Sequence, residues 1–227
     1  MLFEKSATKI RTFCVFQTFY LKIVRLFKKT PPHQQEGEYL RTVRLTTNFR
    51  QMQIHDLTFQ PLLNATQIHS RVQQLAAQLS DQYKNKCPLF ISVLNGAFIF
   101  AADLIKSYSG PCEITFVKIQ SYNGTSSSGN LQTVLGLEQS IEGRDVIILE
   151  DIVDSGKTLH FFIDSLQQQK PHSICTVSLL FKPEAIQFPV HLDYVGFEIA
   201  NDFVVGYGLD YNGLGRNLPD LHVLAPN

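Results

Sequence analysis

The chain has 227 residues, of which 44% are hydrophobic and 18% are charged. This length and composition are typical of a folded globular protein and exclude an intrinsically disordered one. Lys and Arg balance Asp and Glu at 20 each, but residues 1–50 hold ten basic side chains against three acidic ones. The rest of the chain is therefore acidic, which argues against general nucleic-acid binding because that function needs a basic face.

Residues 1–50 differ from everything that follows. The stretch 10–29 is apolar, aromatic and basic, but its charged residues leave no apolar run long enough to span a membrane. Three interpretations stay open: an amphipathic targeting or membrane-surface helix, a poorly ordered extension, or a start codon assigned upstream of a true start at Met52. We favour the last two and expect residues 51–227 to form the functional domain.

The cysteines and histidines predict no metal site. The four cysteines have no C-x-x-C spacing, and the seven histidines have no partner at ligand spacing. We expect reduced thiols and a cytoplasmic protein, because free cysteines are typical of a reducing compartment.

The first predicted element of the domain is a helix. Asn64 is followed three residues later by Gln67, which is the spacing of a capping box. Its predicted apolar stripe consists of Ile68, Val72, Leu75, Ala76 and Leu79. Two further helices are predicted, one after Asn95-Gly96 over 98–105 and one over 156–169.

Short apolar runs predict the strands, which alternate with the helices. In chain order the predicted strands are 89–94, 113–119, 133–137, 145–149, 173–181, 194–199 and 204–208. The serine-rich stretch 121–130 holds too little apolar material to pack and is predicted to be a mobile loop. Alternating helices and nearly all-apolar strands predict an α/β fold, with a central, mostly parallel sheet covered by helices on both faces.

Polar residues follow several of these strands. Asn95-Gly96, Glu150-Asp151 and Lys182 each come directly after a predicted strand. In open α/β sheets the ligand lies beyond the carboxyl ends of the strands, so we expect these residues on one rim.

The segment 146–159, VIILEDIVDSGKTL, is the most informative part of the chain. Its buried strand ends in the adjacent carboxylates Glu150 and Asp151, and a polar loop then leads into a helix. That loop contains Asp154, Ser155, Gly156, Lys157 and Thr158. Carboxylates suit ribose hydroxyls or a divalent cation, and backbone donors at a helix N-terminus suit a phosphate. The segment therefore predicts a sugar-phosphate site.

Two other interpretations of this segment are weaker. A nucleotide-triphosphate P-loop needs a glycine five residues before its Gly-Lys pair, and Asp151 stands there. A simple N-cap by Asp154 or Ser155 explains one polar residue rather than the six that occur in the nine positions 150–158. Because neighbouring strand residues point to opposite faces, Glu150 and Asp151 can serve one site only if the strand ends near Glu150.

Two segments resemble a known enzyme family. The run 146–159 resembles the phosphoribosyl pyrophosphate signature of the purine phosphoribosyltransferases. The segment 203–212, FVVGYGLDYN, followed by RNLP at 216–219, resembles the purine-binding and metal-binding end of the branch that acts on hypoxanthine and guanine. The resemblance covers about residues 52–225, and it implies a type I phosphoribosyltransferase fold with a small hood region built from the chain ends.

The resemblance also implies an activity in purine salvage. The 5-phosphoribosyl group of phosphoribosyl pyrophosphate would pass to N9 of hypoxanthine or guanine, giving IMP or GMP and pyrophosphate. Mg²⁺ is the implied cofactor. The implied partners are phosphoribosyl pyrophosphate and a 6-oxopurine base, without nucleic acid or membrane, in a homodimer or homotetramer. A xanthine-preferring enzyme and a non-catalytic regulator that senses phosphoribosyl pyrophosphate stay open as alternatives.

By the same resemblance, Glu150 and Asp151 would bind the ribose hydroxyls and Mg²⁺. Asp154 would exchange a proton with purine N7, besides lying in the ribose-phosphate site. The 5′-phosphate would be held by Ser155, Gly156, Lys157 and Thr158.

The base would be recognised by residues from the second half of the chain. Lys182 would donate to the exocyclic O6, which favours 6-oxopurines because an ammonium cannot accept from an amino group. Phe203 would stack on the base, and the backbone of Val204 would meet its edge. Asp210 would lie in the purine site and supply a further metal ligand.

The leaving pyrophosphate would be bound by Leu94, Asn95, Gly96 and Arg216. The Leu94–Asn95 peptide bond is expected to be cis, as in members of the family. Ser121 and Tyr122 resemble the start of a catalytic loop that closes over the site and excludes water.

Overall fold

The computed structural model describes residues 51–121, 131–137 and 139–226, with backbone alone for 120, 121 and 131–135. The predictions for residues 1–50 and for most of the serine-rich loop fall outside these ranges. The strands are β1 (Met52–Ile54), β2 (Leu57–Leu63), β3 (Leu89–Leu94), β4 (Glu113–Ser121), β5 (Leu131–Leu135), β6 (Asp145–Val153), β7 (Ser173–Phe181), β8 (Tyr194–Glu198), β9 (Val204–Val205) and β10 (Leu221–Leu224). The helices are α1 (Ala65–Gln82), α2 (Phe98–Ser107) and α3 (Lys157–Gln167), with a 3₁₀ turn at Pro183–Ala185.

The central sheet has the order β5-β4-β3-β6-β7-β8. All neighbouring pairs are parallel except β4 with β5, which is antiparallel. Among the described residues no helix is long and apolar enough to cross a membrane. The predicted α/β fold with a mostly parallel sheet is confirmed.

Helices cover both faces of this sheet. The capping box of α1 is confirmed, since Asn64 Oδ1 accepts from the Gln67 N–H at 2.9 Å and Gln67 Oε1 accepts from the Asn64 N–H at 3.0 Å. The buried stripe of α1 is the one predicted, and it packs with α2 on one face. Helix α3 covers the other face through Leu159, Phe162 and Leu166. In α2 the buried aromatic residue is Phe100, whereas Phe98 is exposed.

A second, smaller sheet forms the predicted hood from the two ends of the domain. Its order is β1-β2-β10-β9, and it packs around Ile54, Phe59 and Val205. The sequence did not predict β1, β2 or β10, because β1 and β10 are short and Pro61 lies within β2. Strand β9 is shorter than the predicted 204–208, because residues 206–208 have positive φ and leave the extended conformation.

The observed end of strand β6 differs from the predicted one. The strand was expected to end near Glu150, but its pairing with β7 continues to Val153 opposite Phe181. Its pairing with β3 on the other side stops at Leu149. Within β6 the Ile152 N–H donates to the Asp151 side chain at 2.9 Å. The last residues of β6 therefore project beyond β3 and leave room at the carboxyl edge of the sheet.

Candidate active site

A cavity of about 310 Å³ lies beyond the carboxyl ends of β3 and β6, under the hood. It is lined by Val93, Leu94, Asn95, Gly96, Glu150, Asp151, Ile152, Asp154, Lys182, Phe203, Val204, Leu209, Asp210 and Arg216. The structure thus brings together every residue predicted for the purine, pyrophosphate and metal sites. Glu150 and Asp151 line this one cavity although β6 continues beyond them.

The loop before α3 forms an adjoining cavity of about 100 Å³. Its lining includes all of the predicted phosphate residues, Ser155, Gly156, Lys157 and Thr158, together with Glu150 and Asp154. Gly156 is required here because a Cβ at this position would lie 2.7 Å from the Phe188 carbonyl oxygen. The Ser155 carbonyl accepts from the N–H groups of Gln187 and Phe188 at 3.0 and 3.1 Å, which fixes the loop. The N-terminal N–H groups of α3 then face a phosphate-sized space.

The two adjacent carboxylates form an electrostatically unfavourable pair. Burial, together with the charge of Asp151, raises the pKa of Glu150 well above its usual value. Burial also raises the pKa of Asp151 to about 6, against the lowering effect of the hydrogen bond from the Ile152 N–H. Glu150 Oε2 is buried and has no hydrogen-bond partner among the described residues. A buried carboxylate oxygen without a donor suits a cation, so these side chains fit Mg²⁺.

Asp151 also packs directly against the loop after β3. A Cβ on Gly96 would lie 1.4 Å from Asp151 Oδ2, so only glycine leaves space for this carboxylate. The Leu94–Asn95 peptide bond in the same loop is cis, as expected. Asn95 is exposed toward the cavity and Gly96 is buried.

The hood meets this loop at Gly208. A Cβ on Gly208 would lie 2.0 Å from the Gly96 carbonyl oxygen, so the two glycine backbones are in direct contact. Arg216 donates to the Gly208 carbonyl at 2.7 Å and pairs with Asp210 at 2.5 Å. Asp210 additionally accepts from the Gly213 N–H at 2.7 Å. These contacts hold one guanidinium and one carboxylate beside the loop 94–96.

Lys182 and Asp154 form an ion pair on the cavity wall. Lys182 Nζ lies 2.9 Å from Asp154 Oδ2. The lysine side chain is 7% exposed, which excludes an ordinary surface lysine, whereas the Asp154 side chain is 54% exposed. The site therefore holds a nearly buried ammonium donor next to an accessible carboxylate.

Phe203 and Val204 form the hood side of the cavity. Phe203 is 41% exposed, and its ring centroid lies 6.1 Å from that of Phe59 and 5.7 Å from that of Tyr211. Val204 is buried and pairs with Val223 of β10. An exposed aromatic face beside a paired backbone suits a planar, hydrogen-bonding ligand.

Two further residues, Ser121 and Tyr122, were predicted to begin a catalytic loop. Ser121 is the last residue of β4, and Tyr122 lies outside the described ranges. Sequence reasoning missed the apolar lining residues Val93, Ile152 and Leu209, each of which is next to a predicted site residue or one position removed from it. Their apolar character gave no functional signal by itself.

Comparison with known proteins identifies the family. The profile of the phosphoribosyl transferase domain matches residues 61–212. The chain belongs to the phosphoribosyltransferase family. It is 43% identical over 176 residues to the hypoxanthine-guanine phosphoribosyltransferase of Bacillus subtilis, covering 77% of this chain and 97% of that protein.

Solved structures give the same result. A hypoxanthine-guanine phosphoribosyltransferase from Bacillus anthracis is 37% identical, with a TM-score of 0.69, over 73% of this chain and 98% of the other. A hypoxanthine phosphoribosyltransferase from Staphylococcus aureus is 40% identical, with a TM-score of 0.70, over 73% and 91% of the two chains. The predicted membership of the hypoxanthine-guanine branch is confirmed.

Proposed function

We propose that the protein is a purine-salvage phosphoribosyltransferase that converts hypoxanthine or guanine, with phosphoribosyl pyrophosphate, into IMP or GMP and pyrophosphate. The observation that carries this proposal is the Lys182–Asp154 pair in the same cavity as the carboxylates Glu150 and Asp151. A 6-oxopurine presents O6 and N7 side by side on one edge. A buried ammonium and an accessible carboxylate 2.9 Å apart match those two atoms.

The sugar substrate is expected to occupy both cavities. Its 5′-phosphate would accept from the N–H groups and hydroxyls of the loop 155–158, at the positive end of α3. Its ribose hydroxyls would meet Glu150 and Asp151. Its pyrophosphate would lie along the loop 94–96 beside Arg216. A bound Mg²⁺, held by Glu150 and Asp151 with Asp210 nearby, would supply neutralisation of the departing pyrophosphate charge.

The reaction is a displacement at the anomeric carbon. The bond from C1′ to the pyrophosphate oxygen breaks, and a bond from C1′ to purine N9 forms. The proton that the purine must lose is taken from N7 by the Asp154 carboxylate, which acts as general base. Lys182 holds O6 in place, and the Phe203 ring covers the face of the base. Ser121 and Tyr122, at the end of β4, would begin the loop that excludes water from the activated sugar.

Incubation with phosphoribosyl pyrophosphate, Mg²⁺ and each of hypoxanthine, guanine, xanthine and adenine tests the proposal. Nucleotide is expected with hypoxanthine and guanine and not with adenine, because Lys182 cannot accept from an amino group. If no base gave a nucleotide, the enzyme proposal would fail. Rapid turnover of adenine would remove the role given to Lys182, and xanthine as the best substrate would favour the xanthine-preferring alternative.

We also propose that the protein assembles as a homodimer or homotetramer. Ile114 and Phe116, on one face of β4, and Phe98 of α2 are large apolar side chains that are 38–42% exposed in the single chain. Exposed apolar side chains that together form a contiguous patch are typical of protein interfaces. Light scattering should give the mass of two or four chains of 25.7 kDa, and a mass of one chain would contradict assembly.

A further inference from the structure

A hydrogen bond between Tyr207 and Asp103 connects the hood to α2 across 104 residues of sequence. The Tyr207 hydroxyl donates to Asp103 Oδ2 at 2.8 Å. Tyr207 is 6% exposed, so little solvent competes for this bond. Asp103 Oδ1 is paired with Lys106 at 2.6 Å, which orients the carboxylate on the helix surface. Neither Tyr207 nor Asp103 lines the cavity.

The conformation of Tyr207 is unusual for a residue with a side chain. Its φ is +47°, and it lies between two glycines that also have positive φ. Its N–H donates to the Leu218 carbonyl at 2.8 Å. The backbone thus turns the phenol away from the hood sheet and down toward α2, where its ring joins the core cluster of that face.

The charge states of the pair favour a firm bond. Burial raises the pKa of the Tyr207 hydroxyl far above its usual value, so it remains a donor. Burial also acts to raise the Asp103 pKa, but hydrogen bonds from Lys106 and Tyr207 outweigh it and lower that pKa. A neutral donor therefore faces an ionised acceptor, and hydrogen bonds to charged groups are the stronger class.

Each partner is directly connected to one side of the pyrophosphate region. Asp103 belongs to α2, the helix that begins two residues after the loop 94–96. Tyr207 precedes Gly208, whose N–H donates to the Arg216 carbonyl at 3.0 Å and whose own carbonyl accepts from the Arg216 guanidinium. Between the two sides lies the close contact of Gly208 with the Gly96 carbonyl. The hood and the segment that contains the loop 94–96 and α2 are therefore joined at two points, the Tyr207–Asp103 hydrogen bond and the Gly208–Gly96 contact.

We propose that Tyr207 and Asp103 are positioning residues that hold Arg216 and Asp210 of the hood at a fixed distance from Gly96 and Asp151. This inference rests on the proposed function, because the fixed distance defines the subsite for the pyrophosphate and its Mg²⁺. Without the hydrogen bond, the hood segment 207–216 can move away from the loop 94–96. The purine side, formed by Lys182 and Phe203, keeps its own contacts.

Tyr207→Phe is the decisive variant, because it removes the hydroxyl and keeps the ring in the core. We expect its KM for phosphoribosyl pyrophosphate, and the Mg²⁺ concentration for half-maximal rate, to rise about tenfold, since small displacements of positioning groups have large effects on rate and binding. The KM for hypoxanthine should change less than twofold. A matched control exists in Tyr211→Phe, because the Tyr211 hydroxyl donates to Asp56 Oδ1 at the same 2.8 Å but within the hood. This control should keep both KM values.

Asp103 provides the second test. Asp103→Asn keeps an acceptor oxygen but loses the charge, so its KM for phosphoribosyl pyrophosphate should rise less than that of Tyr207→Phe, whereas Asp103→Leu should reproduce the full change seen in Tyr207→Phe. The double variant should be no worse than either single variant, because both remove the same interaction. Asp103→Leu by itself keeps the proposal testable if Tyr207→Phe does not fold.

Three results would overturn the proposal. The first is an unchanged KM for phosphoribosyl pyrophosphate in folded Tyr207→Phe, and the second is an equal rise of both KM values. The third is additive effects in the double variant. A parent protein that makes no nucleotide with any purine would instead overturn the proposed function, so the two failures are distinguishable.

Discussion

Lys182 and Asp154 form an ion pair with very unequal burial: the ammonium is almost enclosed, whereas more than half of the carboxylate side chain is accessible. Lys182 is also the first residue after β7, and its N–H donates to the Val153 carbonyl of β6 at 3.0 Å. The backbone thereby fixes the lysine at the sheet edge. A purine that enters can contact Asp154 without displacing the ammonium.

Replacing Lys182 tests the recognition of O6. Lys182→Gln should lower kcat/KM for hypoxanthine by about 10- to 150-fold, because a hydrogen bond to a charged group contributes about 1.5–3 kcal/mol. The KM for phosphoribosyl pyrophosphate should stay unchanged. Lys86→Gln is the matched control, since Lys86 also pairs with a carboxylate, Asp145, at 3.3 Å but at the opposite end of β6. Equal losses in both variants would contradict the assignment.

Asp154→Asn separates binding from proton transfer. The amide keeps the shape of the side chain but cannot take a proton from N7, so kcat should fall about 10²- to 10⁴-fold. Calorimetry in the presence of Mg²⁺ should show retained binding of phosphoribosyl pyrophosphate. Turnover at the parent rate would exclude Asp154 as the general base.

The adjacent carboxylates predict a pH-dependent stability. The folded-state pKa of Asp151 is about 6 against 3.8 for the free side chain, mainly because of burial. The folded state therefore binds more protons, and its stability falls as the pH rises from about 4 to 6. The Asp151→Asn variant lacks this pH-dependent loss of stability. At pH 8 without metal, its free energy of unfolding should therefore exceed that of the parent by about 2–3 kcal/mol.

Urea unfolding in EDTA at pH 4, 6 and 8 measures the effect of Asp151→Asn. The increase in the free energy of unfolding over the parent should be largest at pH 8 and vanish near pH 4. Asp202→Asn, at an exposed position, is the control and should show no such trend. A gain that did not depend on pH would contradict the electrostatic explanation.

Gly96→Ala should weaken substrate binding more than it lowers the stability of the fold. The new Cβ would overlap the end of the Asp151 side chain, which must move, so binding of phosphoribosyl pyrophosphate with Mg²⁺ should weaken at least about tenfold. The free energy of unfolding should fall by about 1–3 kcal/mol, as in other overpacked sites. Gly143→Ala is the control for activity, because none of the described residues beyond its chain neighbours lies within 4 Å of its Cβ position, and its positive φ means that alanine lowers stability alone. It should remain fully active.

A chain that starts at Met52 should keep full activity. Every described hydrophobic cluster and every residue of the two cavities lies within 52–226. Steady-state rates and the thermal unfolding midpoint of this shortened chain should match those of the full chain. A large loss of either would show that residues 1–50 contribute to the domain.

The sequence predicted the central sheet best where strands are buried on both faces. β3 and β7 have the predicted boundaries, because continuous apolar runs bounded by polar residues leave little ambiguity. The hood strands β1, β2 and β10 were missed, because β1 and β10 are short, β2 contains Pro61, and all three cover one small cluster, so their apolar pattern is weak. The predicted length of β6 was also wrong. Beyond Leu149 this strand pairs only with β7, and where its pairing with β3 stops depends on the end of β3, which the β6 sequence does not encode.

Most residues of the candidate site were predicted because they lie in two contiguous segments with a recognisable pattern. The contacts between these segments could not be predicted in the same way. The approach of Gly208 to Gly96 and the bond from Tyr207 to Asp103 join residues more than 100 positions apart. Such contacts depend on how the hood is placed over the sheet, and no local pattern encodes that placement.

The close contact of Gly208 with Gly96 has a consequence for redesign of the enzyme. On that side of the cavity neither position can accept even a methyl group without moving its neighbour. On the opposite side, Phe203 is held by ring contacts and faces open space. A library that aims to change the accepted base should therefore vary Phe203 and its surroundings and leave both glycines untouched, because a side chain at either glycine would displace its neighbour.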